Sequence, residues 1–598
     1  MDPSQANFRE CQRQAIDTEI KSLKESIIAL RHRRNTLAPA LSLPPEVIAA
    51  IFSFLRVPVA LSESYLKLGE TLGWLGLSHI CRHWRQIALN QPLFWSHLNF
   101  DIFRWAGAAE ILARAKTVPL YLEAGIYPVR WDSARASALQ KELQARVSYI
   151  CRLKISGEYL HLSKIVEGFV SPAPTLEYFS LLCGQSPCRA GSARVSVPDT
   201  LFDGTTPRLS RLELQNCAIS WKSPLLKGLT YLDIRTPSAN ARPSLSAWLD
   251  ALGEMPHLKT LTLHCASPHV PRGASLPFDV ERTVTLPSLT SLDISASARD
   301  CRLALTHLIL PALTRLCLKA RSFRQDGGDV LEVLPHFSRH AHGLQHTQPL
   351  QSVIDRSNST CVDMRAWTVP GIDAKLADPT VFFDAMFCIP VDFYSDYDPD
   401  VWSPETTTEV FNAAMAALPL DSLVTLTSLS RSSLFDEQSW LCYAPRWPLV
   451  QHLHLGRSAG SAFREMLMED NRGRESPLLP SLTKIVLFDT TLTARGTLRL
   501  CDGLMKRVEQ GVPLETLDLR YCFTTRRAVE LLREIVVKVL NPVEPLDDTE
   551  IPLTWDSAAR GFFVGEDLTG YGDYEESNPG HDDLWDNHDG IEYDEDDW

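Results

Sequence analysis

Gly456-Arg457-Ser458-Ala459-Gly460 fits the Gly-x-Ser-x-Gly form of a nucleophile elbow. In such an elbow the flanking glycines permit a sharp strand-to-helix turn that lifts a serine Oγ toward a carbonyl carbon. The surroundings suit it. The strand-like QHLHL (451–455) precedes the motif, and a helical stretch, SAFREMLMED (461–470), follows. A hydrolase of this kind also needs an acid and then a histidine further along the chain. The only later histidines are His581 and His588, in an acid-rich segment that reads as disordered. A disordered segment cannot hold a general base at hydrogen-bonding distance. QHLHL also belongs to a repeat series described below. No catalytic residue is therefore expected, and a serine hydrolase at Ser458 is the remote alternative.

A second cluster is PHFSRHAHGLQH (335–346), with His336, His340, His342 and His346. Imidazoles ligate zinc or copper, but no local carboxylate or cysteine completes a set, and a solvated loop is expected. The fourteen cysteines contain no Cys-x-x-Cys pair. Cys217, Cys265, Cys317 and Cys522 lie in leucine-rich strand-like runs, where a thiol packs as a small hydrophobe. No phosphate-binding loop, dinucleotide fingerprint or His-Glu-x-x-His is present. The chain is expected to carry no metal and no cofactor, and not to be an enzyme.

Charge narrows the classes further. The net charge of −14 comes from residues 561–598, which hold fourteen acidic residues and no lysine or arginine. The preceding 560 residues carry 59 basic and 59 acidic residues. A basic nucleic-acid surface is thus not indicated. No run of eighteen apolar residues occurs, so no membrane partner is expected. The N-terminal MDPSQANFRECQ lacks the apolar core of a signal peptide. Thiol usage fits a reducing compartment, cytoplasmic or nuclear.

The elements follow from periodicity. In residues 10–38, Ile16, Ile20, Leu23, Ile27, Leu30, Arg34 and Leu37 recur at alternating steps of four and three, a heptad seam carrying one arginine. Pro39 ends it. Two readings stand: a short coiled coil that self-associates, or one amphipathic helix packed on the next domain. Residues 43–98 follow. Pro44 and Pro45 suit a helix's first turn, and Glu46 suits its positive end. Val47, Ile48, Ile51, Phe52 and Leu55 make a helical apolar stripe. Leu77, Ile80, Cys81, Trp84, Ile87 and Ala88 make another, closed by Pro92-Leu93-Phe94-Trp95.

The order LPPE, apolar stripe, CRHWR, PLFW resembles the F-box family over about fifty-five residues. The resemblance implies a small helical module that docks a receptor onto a Skp-type adaptor of a cullin ubiquitin ligase. It further implies that Leu43, Pro44, Pro45, Glu46, Ile48, Ile51, Phe52, Cys81 and Trp84 contact the adaptor or support that contact. Residues 56–76 are a longer insert than the family carries, either a surface loop or a change to the adaptor face. A heptad helix directly before such a module is similar to F-box proteins of mushroom-forming fungi.

Residues 100–540 contain an internal repeat, Leu-x-x-Leu-x-Leu with other aliphatics allowed. It begins at 150, 176, 209, 229, 258, 289 and 313, and again at 450, 482 and 514. A proline stands two residues before seven of the ten: Pro174, Pro207, Pro256, Pro287, Pro311, Pro448 and Pro480. Each unit places two side chains inward from a short strand and cannot bury them alone, so stacking is required. Helices are expected at 245–255, 500–510 and 528–540. The series resembles leucine-rich repeats of irregular length, with Cys217 and Cys522 at the repeat's cysteine position. It is obscure at 320–445, which holds either about four degenerate units or an insertion, with strands read at 353–369 and 387–395.

The expected fold class is α/β: an N-terminal helix and a helical F-box, then an irregular leucine-rich-repeat solenoid, then an acidic disordered tail at 561–598. The expected function is a substrate receptor of an SCF-type ligase with an unknown target protein, working by proximity. The alternative is a ligase-independent repeat scaffold.

Overall fold

A computed structural model describes residues 3–540 except 42, 56–72, 104, 128–132, 185–194, 236–241, 271–281, 323, 325, 346–348, 359–360, 371–382, 389–401, 431–433 and 470–476. The acidic tail, His346 and most of the 56–76 insert lie outside the described residues. Residues 73–76 open a short 3-10 helix, Gly73–His79.

The chain mixes helix and strand, with its helical part first. Helix α1 (Pro3–Thr36) precedes α2 (Pro45–Leu55) and α3 (Arg82–Asn90). The sequence reading placed Leu77 through Ala88 on one helix, and the structure divides it. Leu77 is in the 3-10 helix, and Cys81 is the N-cap of α3, its Sγ accepting from the Trp84 amide at 3.5 Å. No described side chain of α1 is buried, and Ile16, Ile20, Leu23, Ile27, Leu30 and Leu37 are all exposed. The reading that packs this helix on the next domain is therefore corrected.

Among the described residues, beside two small two-stranded sheets, a seventeen-stranded sheet follows. Its strands are β1 (His97–Asn99), β2 (Leu120–Ile126), β3 (Ile150–Gly157), β4 (Tyr178–Cys183), β5 (Arg211–Gln215), β6 (Tyr231–Arg235), β7 (Thr260–His264), β8 (Ser291–Ser297) and β9 (Arg315–Arg321). Then come β10 (Ser352–Asp355), β11 (Cys361–Trp367), β12 (Phe383–Cys388), β13 (Thr425–Ser428), β14 (His452–Leu455), β15 (Lys484–Thr491), β16 (Thr516–Phe523) and β17 (Lys538–Leu540). Strands β1 to β9 pair with their sequence neighbours, all parallel, and so do β13 to β17. The sheet starts at His97, inside the stretch assigned to the helical unit. No pairing among the described residues joins β1 to β17, so the sheet is not a closed barrel.

The repeat pattern explains this run. Leu153, Phe179, Leu212, Leu232, Leu261, Leu292 and Leu316 stand in register across seven strands. Ile155, Leu181, Leu214, Ile234, Leu263, Ile294 and Leu318 form the adjacent file, and both files are buried. Such side chains find apolar cover only against the next strand's copies. The turns stack too: Thr230 N donates to Ser210 O, Lys259 N to Thr230 O, Thr290 N to Lys259 O and Thr314 N to Thr290 O, at 2.8–2.9 Å. Backbone groups at each turn are thereby satisfied by the previous turn. Ser244, Ser297, Ser403, Thr493 and Thr525 cap the helices between strands.

Between β9 and β13 the order inverts. β12 pairs with β9, β11 lies antiparallel between β12 and β10, and β10 pairs with β13. Residues 353–369 thus form parts of two strands rather than one. Their break is fixed by Asp355, whose carboxylate accepts from Ser357 N at 2.9 Å and Ser428 Oγ at 2.8 Å while burial raises its pKa. The histidine segment is a helix, Leu334–Gln345, and not a loop. Residues 528–540 split into the end of helix Arg526–Arg533 and the edge strand β17.

Candidate protein-interaction surfaces

The first candidate surface is built on α2. LPPEVIAAIFSFL is apolar on nearly every side, with Glu46 and Ser53 its only polar helical residues. A helix apolar all round needs cover on more than one face. Ile48 is 1% exposed and Phe52 0%, and both belong to the core that continues into the sheet. Phe52 packs against Trp84 with centroids 5.2 Å apart and against Phe94 at 5.5 Å. Trp95 donates its indole N–H to Ala88 O at 2.8 Å, and Arg114 lies 4.6 Å over its ring. The final PLFW turn therefore locks α3 onto the chain that becomes β1. Arg85 Nε donates to Ser78 O at 3.0 Å, tying the 3-10 helix to α3.

Among the described residues nothing covers the other side of α2. Pro44, Val47, Ile51 and Phe54 recur at steps of three and four, about 100° round the helix from Ile48 and Phe52. All four are exposed, Phe54 at 86%. Leu43, Pro45 and Glu46 are exposed at its start, and Pro44 O accepts the Val47 and Ile48 amides.

The expected site residues therefore fall into two groups. Leu43, Pro44, Pro45, Glu46 and Ile51 present a surface. Ile48, Phe52, Cys81 and Trp84 hold it from beneath. Sequence reasoning left out Val47 and Phe54, and the all-round apolarity of α2 was the signal that finds them. Trp84→Ala removes the wall behind Phe52, with an expected loss of ~3–5 kcal/mol in this region. Hydrogen exchange at 45–95 would show it as faster exchange, with β4 to β9 unchanged.

The second candidate surface is the sheet face opposite the leucine files. His97, Tyr121, Arg152, Tyr178, Arg211 and Tyr231 stand in one register row. His97 stacks on Tyr121 at 4.1 Å, Arg152 lies 4.3 Å over Tyr178, and Arg211 lies 3.8 Å over Tyr231. Guanidinium–ring contacts of this kind fix side chains that would otherwise be mobile.

The neighbouring row brings acids: Glu213, Asp233 and Asp293. Tyr178 Oη donates to Glu213 at 2.6 Å, Arg235 pairs with Asp233 at 2.9 Å, and His264 lies 3.2 Å from Asp293. Burial raises the Tyr178 phenol's pKa, and the Glu213 hydrogen bond adds to it. Burial also pushes Asp233 up against the pull of Arg235. At Asp293 burial acts the same way but is outweighed by the His264 hydrogen bond and charge, so its pKa is lowered. The result is a preordered stripe of rings and paired charges.

Ser458 follows β14 at the start of helix Arg457–Glu469, the strand-to-helix position the motif requires. Among the described residues no hydrogen bond joins it to a histidine. His336 packs near Thr306, with Nδ1 to Oγ1 at 3.4 Å, and burial then Arg339 lower its pKa. No group of three or more candidate ligands for a metal occurs among the described residues, and no described helix is long and apolar enough to cross a membrane.

No curated protein matches the chain. A crystal structure of a Bacteroides fragilis protein is similar over 73% of this chain and 77% of its own, at 11% identity and a TM-score of 0.15, too low to carry any argument. The comparisons lend no support to the wider likeness to F-box proteins of mushroom-forming fungi. What the comparisons do show is local: residues 40–101 match the family model for F-box-like domains, and they enclose α2, α3 and the turn that leads into the sheet.

Proposed function

We propose that this chain is the substrate-receptor subunit of an SCF-type cullin ligase, with the α2 surface bound to a Skp-type adaptor. One observation carries the reading. Within an F-box-like domain, α2 keeps a row of apolar side chains in water while its other face is anchored in the core. Exposed apolar rows of this kind mark contact sites.

The parallel strands that follow are read as an irregular leucine-rich-repeat array, supported by the in-register leucine files and the proline-preceded turns. Its ring-and-charge face takes the target protein. Catalysis is by proximity, and no residue here makes or breaks a bond. Such work belongs in the cytoplasm or nucleus.

Co-purification of the intact chain with a Skp-type adaptor tests the first half. Pro44→Ala and Trp84→Ala are each expected to weaken that complex, Trp84 through Phe52. Arg211→Ala with Tyr231→Ala tests the second half. Retained target protein is expected to fall at least ~10-fold, as loss of an aromatic and arginine anchor implies, with adaptor binding unchanged. A chain that never binds the adaptor yet still retains a protein through this face would favour the ligase-independent scaffold.

A further inference from the structure

We infer that α1 pairs with α1 of a second copy of this chain, and that the two helices run antiparallel. The helix is 34 residues long, and its seam of Ile16, Ile20, Leu23, Ile27 and Leu30 is exposed. An isolated helix with a continuous apolar seam leaves that surface in water, and pairing removes it.

In heptad terms Ile20, Ile27 and Arg34 fall at a, while Ile16, Leu23, Leu30 and Leu37 fall at d. The flanking e and g positions then decide the partner and its direction. In the first half of the helix they are Glu10, Gln12, Asp17 and Glu19; in the second half they are Lys24, Ser26, Arg31 and Arg33. Every charged flank in the first half is acidic, and every one in the second is basic.

A parallel pair sets Arg34 against Arg34 of the other copy in one core layer and, where the pattern is carried one heptad before Ile20 to Arg13 at a, Arg13 against Arg13 in another. It matches acid to base only at Glu19 and Lys24. An antiparallel pair lays each acidic half along the other copy's basic half and keeps both arginines away from their counterparts. Opposed helix dipoles favour the same direction. No other occupant is needed: the helix is complementary to itself reversed. The pair would place two receptor units at opposite ends, giving two target-binding faces per assembly and a gain in avidity.

The test uses the full chain. Sedimentation equilibrium is expected to give twice the chain mass of 67.0 kDa, and Leu23→Asp with Ile27→Asp is expected to give the single-chain mass. A monomer at all concentrations, or a dimer that survives the double substitution, overturns the pairing. Direction is read from Cys11, which is exposed near the start of the helix. It is spin-labelled with Cys81, Cys188, Cys265, Cys388 and Cys442 replaced by serine. Antiparallel pairing predicts an interchain distance of roughly 30–45 Å from the 1.5 Å rise per residue. A distance under ~20 Å would mean a parallel pair and overturn the assignment of direction.

Discussion

Replacing Ile51 and Phe54 together by glutamate is expected to weaken adaptor binding by ~100-fold or more, about 2.7 kcal/mol or greater. The two side chains lie one turn apart on the exposed side of α2, and Phe54 is its most exposed apolar side chain. Truncating a single buried aromatic anchor commonly costs 2 kcal/mol or more of binding energy. A glutamate in its place must also shed its hydration to enter the contact.

The same substitutions leave the fold intact, because neither residue belongs to the core. Exposed changes of this kind stay within ~0.5 kcal/mol of the parent stability. Phe52→Ala is the contrasting control. It sits a quarter-turn away but is fully buried, and its loss costs ~3–5 kcal/mol of folding energy. Binding and thermal unfolding measured on both variants separate contact from support.

The second large effect is expected at Arg507. Its side chain is 2% exposed on helix Ala494–Glu509. Nη1 donates to Leu478 O at 2.7 Å, and Nη2 donates to Leu479 O at 3.0 Å. Leu479 has a φ of +52°, an uncommon conformation for leucine. The guanidinium thus pins the strained turn that feeds β15. Arg507→Ala removes two charge-assisted hydrogen bonds and opens a cavity, with an expected cost of ~3–5 kcal/mol. Arg507→Met keeps most of the volume and is expected to lose less. Because each strand rests on its neighbours, the damage should be local. Hydrogen exchange is expected to rise across β15 to β17 and stay unchanged in β3 to β7.

The leucine files were legible because each unit carries its own instructions. Leu209-x-x-Leu212-x-Leu214 states where the strand begins and which side chains face in, and Pro207 marks the turn before it. The F-box-like segment was legible for a similar reason: its prolines, apolar stripe and PLFW turn are local signals.

The inverted order of β10, β11 and β12 was not legible. It depends on Asp355 reaching Ser428 across seventy-three residues, and no period in the sequence encodes that pairing. Val47 and Phe54 on the exposed side of α2 were missed, beside the expected Ile51, because by type they read as core. Only the observation that Ile48 and Phe52 fill the core shows that the others do not. The exposure of the α1 seam among the described residues was likewise a tertiary fact, since a heptad seam specifies that it will pack but not against what.

The central role assigned to the exposed row of α2 is adaptor binding. Titration of the intact, purified chain with a purified Skp-type adaptor by calorimetry tests this most directly. One adaptor per chain, bound with a dissociation constant of about 1 µM or tighter, and abolished by Ile51→Glu with Phe54→Glu, is the predicted result. A folded chain that takes up no adaptor, or one that binds equally well with both glutamates in place, would contradict it.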